Sequence, residues 1–213
     1  MPTHPPTFLF YSMKKSAFFY SAILLITLLS IFFIDRHLAD FIYQQNSATS
    51  FTKLLSNIPM LLEALALIVL VSCIFSKVRN RFSGLAIHLA LTFMLASVVR
   101  FGAKALFGRT WPQTWTDNNP SWINDRVEGF HPFTEGLAYN SFPSGHSLFT
   151  FALASVFWFH FPRYRLLWIA TMLGVFVGQL AQNFHYLGDL LAGAGIGILC
   201  AHLVISQRQK ISK

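Results

Sequence analysis

The stretch PSGHSLFTFALASVFWFHFPRYRLLWIATMLGVFVGQLAQNFHYLGD, residues 143–189, decides the architecture. It holds two apolar runs, 144–161 and 166–184, divided by Pro162-Arg163-Tyr164-Arg165. Each run is close to the ~20 residues an α-helix needs to cross a bilayer. The polar residues with chemistry stand at the ends of these runs. His146 opens the first, His185 closes the second, and Asp189 follows four residues later. A chain that leaves the edge at His146 and returns at His185 brings both imidazoles to one face of the membrane. An i, i+4 pair on a helix shares one side, so Asp189 can hold one ring nitrogen of His185 and leave the other free to attack.

The rest of the chain repeats the apolar theme. Of 213 residues, 54% are hydrophobic and 11% charged, against about 25% charged in an ordinary soluble domain. Further apolar runs cover 17–34, 54–75, 84–101 and 187–205. The expectation is an all-α integral membrane bundle of about six transmembrane helices with a long outer loop. No internal repeat or low-complexity linker divides it, so residues 1–213 read as one domain with a motif core of about 104–193.

Charge fixes an orientation. Lys14 and Lys15, then Lys77, Arg79 and Arg81, then Arg163 and Arg165, then Arg208, Lys210 and Lys213 fall on alternate sides of successive spans and so share one face. The positive-inside rule makes that face cytoplasmic, with both termini inside an inner (plasma) membrane. Asp35, Asp40, Asp117, Asp125, Glu128 and Glu135 fall in the outer connections, Asp189 at the outer start of the last span, and Glu63 within the second. The net charge of +8 is thereby explained by topology, and nucleic acid is not an expected partner. The first span follows two lysines without a small-x-small cleavage site and reads as a retained signal anchor. Cys73 and Cys200 read as packing residues, not a disulfide.

The connection from about 108 to 142 carries Trp111, Trp115, Trp122, Phe130, His131 and Phe133. Tryptophans at this level anchor at the lipid–water interface; the alternative is a lid that shapes the entrance for a head group. Lys104 and Arg109 close the third span on the same outer face. These residue types suit phosphoryl transfer. A helix opening at Pro143-Ser144-Gly145 directs free backbone N–H groups at an anion. Lys104 and Arg109 can neutralise the equatorial phosphoryl oxygens. Of the two histidines, one attacks phosphorus and the other protonates the departing oxygen.

With these residues in place the chain resembles the phosphatidic acid phosphatase type 2 superfamily, whose pattern is Lys, six residues, Arg-Pro; then Pro-Ser-Gly-His; then Ser-Arg, five residues, His, three residues, Asp. The resemblance covers Lys104 to about Gly193. It implies that His185 is the nucleophile forming a phosphohistidine, Asp189 its orienter, His146 the general acid, and Ser144 with Gly145 part of the phosphate cradle. It implies no metal and no cofactor. Two family arginines are missing: position 111 is Trp, before the expected Pro112, and position 179 is Gln, with Gly178 for the preceding serine. Arg109 is the natural substitute for the first, and Gln179 or Arg126 for the second.

The expected activity is metal-independent hydrolysis of phosphate or diphosphate monoesters of lipids on the outer (periplasmic) face, with membrane lipid as partner and substrate. A lipid phosphotransferase using the same residues, or a weakened non-catalytic phospholipid-binding relative, are the rivals. Glu63 reads as a structural hydrogen-bonding or protonated carboxyl without a basic partner at its depth. His88, His160 and His202 read as packing or interfacial residues and His4 and His37 as solvated, while His131 is undecided. Gly174 with Gly178, and Gly193 with Gly197, have the spacing for close helix approach.

Overall fold

The computed structural model describes residues 13–115 and 118–211; His4, Asp117 and Lys213 lie outside them, as do the side chains of Lys14, Arg208 and Lys210. The first helix runs from α1 (Met13–Leu29) through a π turn (Ser30–Ile34) into α2 (Asp35–Gln44). Next come α3 (Ser50–Ser56), α4 (Ile58–Ser72) and α5 (Ser76–Phe107). A long connection contains the short α6 (Trp122–Asp125) and precedes α7 (Gly145–His160), α8 (Arg165–Ala181) and α9 (Leu187–Ile211). Among the described residues there is no strand, only two isolated bridges that tie the connection to itself, Arg109 with Phe130 and Trp111 with Ser121. The architecture is an all-α membrane bundle.

All six apolar runs are helical, as expected of an all-α membrane bundle. Among the described residues four helices are long and apolar enough to cross a bilayer, Lys15–Gln44, Ser76–Phe107, Pro162–Ala181 and Leu187–Gln207, and α3 with α4 makes a fifth if that pair, bent by 41°, is one span. The sixth run forms α7, only 16 residues and so about 24 Å long, short of a ~30 Å hydrocarbon core. Its ends are set locally: Ser144 caps the start by accepting from the Ser147 N–H, and Pro162 follows the end. A short helix is tolerated there because α7 is the hub of the bundle, packed by α4, α5, α8 and α9. Leu148, Ala152, Leu153, Ala154 and Val156 are fully buried on it, whereas α1 and the π turn after it direct Phe18, Leu24, Phe32 and Phe33 outward, as a lipid-facing helix does.

Small residues set the closest contact. A Cβ at Gly193 would lie 2.4 Å from the Ser144 carbonyl oxygen, and one at Gly197 would lie 2.3 Å from that of Leu148. Only glycine lets α9 lie this close to α7, and close approach supplies the dispersion contacts that associate helices where lipid is as apolar as leucine. Ser147 Oγ completes the seam by donating to the Leu190 carbonyl at 2.7 Å. The seam brings the start of α9, with Asp189, against the start of α7, with His146. The alternation of helices then separates charge: Lys15, Lys77, Arg79, Arg81, Arg163 and Arg165 lie at the end of the bundle remote from these histidines. Both cysteines are free, Cys200 buried and Cys73 partly so.

Candidate active site

His185 is not the last residue of a helix. It stands beyond the end of α8, in the turn before α9, so the pair with Asp189 is made by that turn and not by two helical residues. His185 Nδ1 lies 3.5 Å from Asp189 Oδ2 and 3.4 Å from Ser141 Oγ. Asp189 is fully buried and held from all sides. Arg109 Nη1 donates to its Oδ1 at 2.7 Å, and Ser141 Oγ and the Tyr186 N–H donate to its Oδ2 at 2.6 and 3.1 Å. Its own carbonyl accepts from the Ser144 N–H at 3.0 Å. With Nδ1 turned to Asp189, Nε2 is the ring nitrogen left for the cavity that His185 lines. Burial pushes the imidazole below its ordinary range; the adjacent Asp189 pulls upward without cancelling it. The ring is therefore neutral near pH 7.

That cavity, about 410 Å³, also receives Glu63, Arg100, Lys104, Trp111, Gly145 and His146. The His146 and His185 ring centroids are 6.2 Å apart. Lys104 Nζ donates to the Asn140 carbonyl and lies 5.7 Å from the Trp111 ring centroid. Trp111 packs 5.0 Å from His185 and 5.0 Å from Trp115, centroid to centroid, and its indole N–H donates to the Leu137 carbonyl at 2.8 Å. Trp111 and Trp115 thus wall the cavity. His131 is exposed against Tyr139 and does not line it.

Four residues expected or weighed as phosphate contacts do not line this cavity. Arg109 is fully buried behind Asp189, with Nη1 2.8 Å from Asp35 Oδ2 and Nη2 2.9 Å from Glu128 Oε1. Its guanidinium carbon is 4.2 Å from the Tyr186 ring centroid. Burial alone would lower this guanidinium's pKa, but Asp189, Asp35 and Glu128 more than offset it and hold the group above its ordinary value. Burial likewise raises the Tyr186 phenol, whose O–H donates to the Trp111 carbonyl. Arg109 is a buried hub, turned away by the left-handed Gly108 (φ 57°) that ends α5. Gln179 is also fully buried, donating to the Ser56 carbonyl at 3.1 Å where α8 meets α3. Ser144 is the helix cap, buried and spent on α7 and α9. Arg126, on the surface, pairs with Asp40 at 2.7 Å.

Sequence reasoning missed Arg100, Ser141 and Asp35. Arg100 falls inside the apolar run 84–101, and its i, i+4 relation to Lys104 was the available signal. Asp35 comes from the first helix, where Ser30 Oγ and the Gly188 N–H donate to it at 2.7 and 2.9 Å. Glu63 does have cationic company, since it faces the cavity of Arg100 and Lys104. His88 with His160, and His202 with Tyr20, form hydrogen bonds of 2.9 Å away from the site. Among the described residues no group of three His, Cys, Asp or Glu side chains is arranged to hold a metal ion.

The chain is 30% identical to a lipid A 1-phosphatase of Rhizobium etli over 115 residues, 54% of this chain and 47% of that protein. A lipid A 1-phosphatase of Porphyromonas gingivalis is 33% identical over 78 residues, 32% of this chain and 16% of that one. The bacitracin transport permease protein BcrC of Bacillus licheniformis is 30% identical over 73 residues, 34% and 36% of the respective chains. The chain thus spans about half or less of the curated relatives it matches, and no solved structure matches significantly. The model of the PAP2 superfamily matches residues 85–213, which takes in α5, the walled cavity, both histidines and Asp189, and the chain belongs to that superfamily.

Proposed function

We propose that this protein is a membrane lipid-phosphate phosphatase working through a phosphohistidine on His185. The observation that carries the reading is the convergence of His146 and His185 on one cavity, with Asp189 clamped behind His185. The neutral Nε2 of His185 attacks phosphorus, and the P–O bond to the lipid breaks as His146 gives its proton to the departing oxygen. Water then attacks the phosphohistidine, its proton passing to the now neutral His146, and phosphate leaves with His185 restored. Lys104 supplies positive charge to the phosphoryl oxygens, and the N–H groups at the start of α7 supply the dipole end of a helix. No step requires a metal ion.

The relatives named as lipid A 1-phosphatases support a phosphate carried on a lipid, and a cavity walled by Trp111 and Trp115 suits a head group whose tail stays in the bilayer. Charge separation along the bundle supports a site on the outer, periplasmic face of the plasma membrane, with both termini cytoplasmic. Phosphate release from a polyprenyl diphosphate, a phosphatidylglycerol phosphate, phosphatidic acid and a lipid A phosphate, against a soluble phosphate ester, tests the reading. Turnover of at least one lipid well above the soluble ester is expected. No release from any of them contradicts it.

A further inference from the structure

We propose that Arg100 is the second phosphate-binding cation of this site, taking the part that Trp111, Arg109 and Gln179 do not. The inference rests on the phosphatase reading for its substrate, but its geometry stands independently. Arg100 and Lys104 are four residues apart on α5, so their side chains share one face, and both line the cavity with the two histidines. A charged guanidinium stands one helical turn deeper than the Lys104 ammonium.

Its position against α7 is built. A Cβ at Gly145 would lie 2.5 Å from Arg100 Nε and 3.3 Å from Cζ, so any other residue at 145 would push the guanidinium from the opening of α7. Phe149, one turn further along α7, has its ring centroid 5.8 Å from Cζ, a cation–π contact that keeps the group on this side. Arg100 Nε is buried and has no hydrogen-bond partner. Among the described residues the guanidinium forms no ion pair, in contrast to Arg36, Arg109 and Arg126. Glu63 is the acid that faces it across the cavity and interacts with it electrostatically.

An unpaired guanidinium beside the first N–H groups of a helix presents a planar fork of donors, the geometry that suits a phosphate. Arg100 therefore binds the non-reacting phosphoryl oxygens from the membrane side while Lys104 binds from the loop side. Glycine at 145 then has a second role besides its backbone N–H: it makes room for the arginine.

Orthophosphate is the probe, read as thermal protection of the purified protein in detergent, alongside kinetics on a lipid phosphate. Arg100→Gln should weaken phosphate protection on the order of 10- to 100-fold, the effect of losing a charged hydrogen-bonding partner, and kcat/KM should fall in parallel. Arg100→Lys should lose less of both, because it keeps the charge but not the fork; it decides the matter should Arg100→Gln fail to fold. Phosphate affinity and kcat/KM within twofold of wild type in either folded variant overturn the proposal while leaving the phosphatase reading intact. Absence of phosphate protection in the wild-type protein also overturns it. Protection that depends on Arg100 in a protein that hydrolyses no lipid phosphate supports the anion site and removes the phosphatase reading instead.

Discussion

Arg109→Gln is predicted to damage the scaffold behind His185 rather than the grip on phosphate. In the native protein the guanidinium lies 2.7 Å from Asp189, 2.8 Å from Asp35 and 2.9 Å from Glu128, with no exposure to solvent. Removing one partner from a buried ion pair costs about 3–5 kcal/mol. The lower end applies here because each carboxylate keeps other support: Glu128 retains Arg36, Asp35 retains Ser30 and the Gly188 N–H, and Asp189 retains Ser141 and the Tyr186 N–H. At about 2–4 °C per kcal/mol for a chain of this size, the apparent Tm in detergent should fall on the order of 10 °C. The kinetic signature should be a loss in kcat with KM changed by less than roughly threefold, since an interaction behind the nucleophile is not one made to bound substrate. Unchanged thermal stability with a large rise in KM would refute this and return Arg109 to the phosphate.

Three further outcomes follow from the site. His146→Ala should slow alkyl lipid phosphates far more than activated aryl phosphates, because a good leaving group needs less protonation; equal damage to both would make His146 a positioning residue. The acid limb of kcat/KM should fall below the ordinary imidazole value of about 6.5, because burial depresses His185 and activity requires its neutral form, lost as pH drops through that depressed pKa. Asp189→Asn should move the limb lower still, by removing the charge that now raises it; a limb above 6.5 in the wild type would contradict the assignment. A cysteine introduced at the part-exposed Asn140 should react with an impermeant thiol reagent added outside intact cells, whereas the fully buried Ser121 position should stay unmodified in the folded protein. A cysteine at Asn80, by contrast, should need permeabilisation, and the opposite pattern would place the site in the cytoplasm.

The motif residues His146, His185 and Asp189 were legible because each is tied to the end of an apolar run, and run ends are set by local sequence: Ser144 caps, Pro162 stops, and Gly193 with Gly197 seats α9 on α7. The spacing of Gly178 was legible for the same reason, since a Cβ there would lie 2.2 Å from the Ser56 backbone nitrogen. Arg109 was misread because nearness in sequence to Trp111 was taken as nearness to the phosphate. A single left-handed residue, Gly108, turns it instead toward Asp35 on the first helix, and no local pattern announces a partner from so distant a segment. Arg100 was hidden by composition, as one cation at the edge of an apolar run resembles a boundary. The central place of α7 was not legible, because hydropathy reports apolar length, while burial inside the bundle depends on which helices surround it.

The central claim is a covalent intermediate on His185, and a rapid-quench experiment with a lipid substrate labelled in its phosphoryl group tests it most directly. The account predicts an acid-labile, base-stable phosphoenzyme in the wild-type protein, formed in the presence of chelator and absent in His185→Ala. Full turnover with no trapped phosphoenzyme, or a phosphoenzyme that persists in His185→Ala, would contradict it.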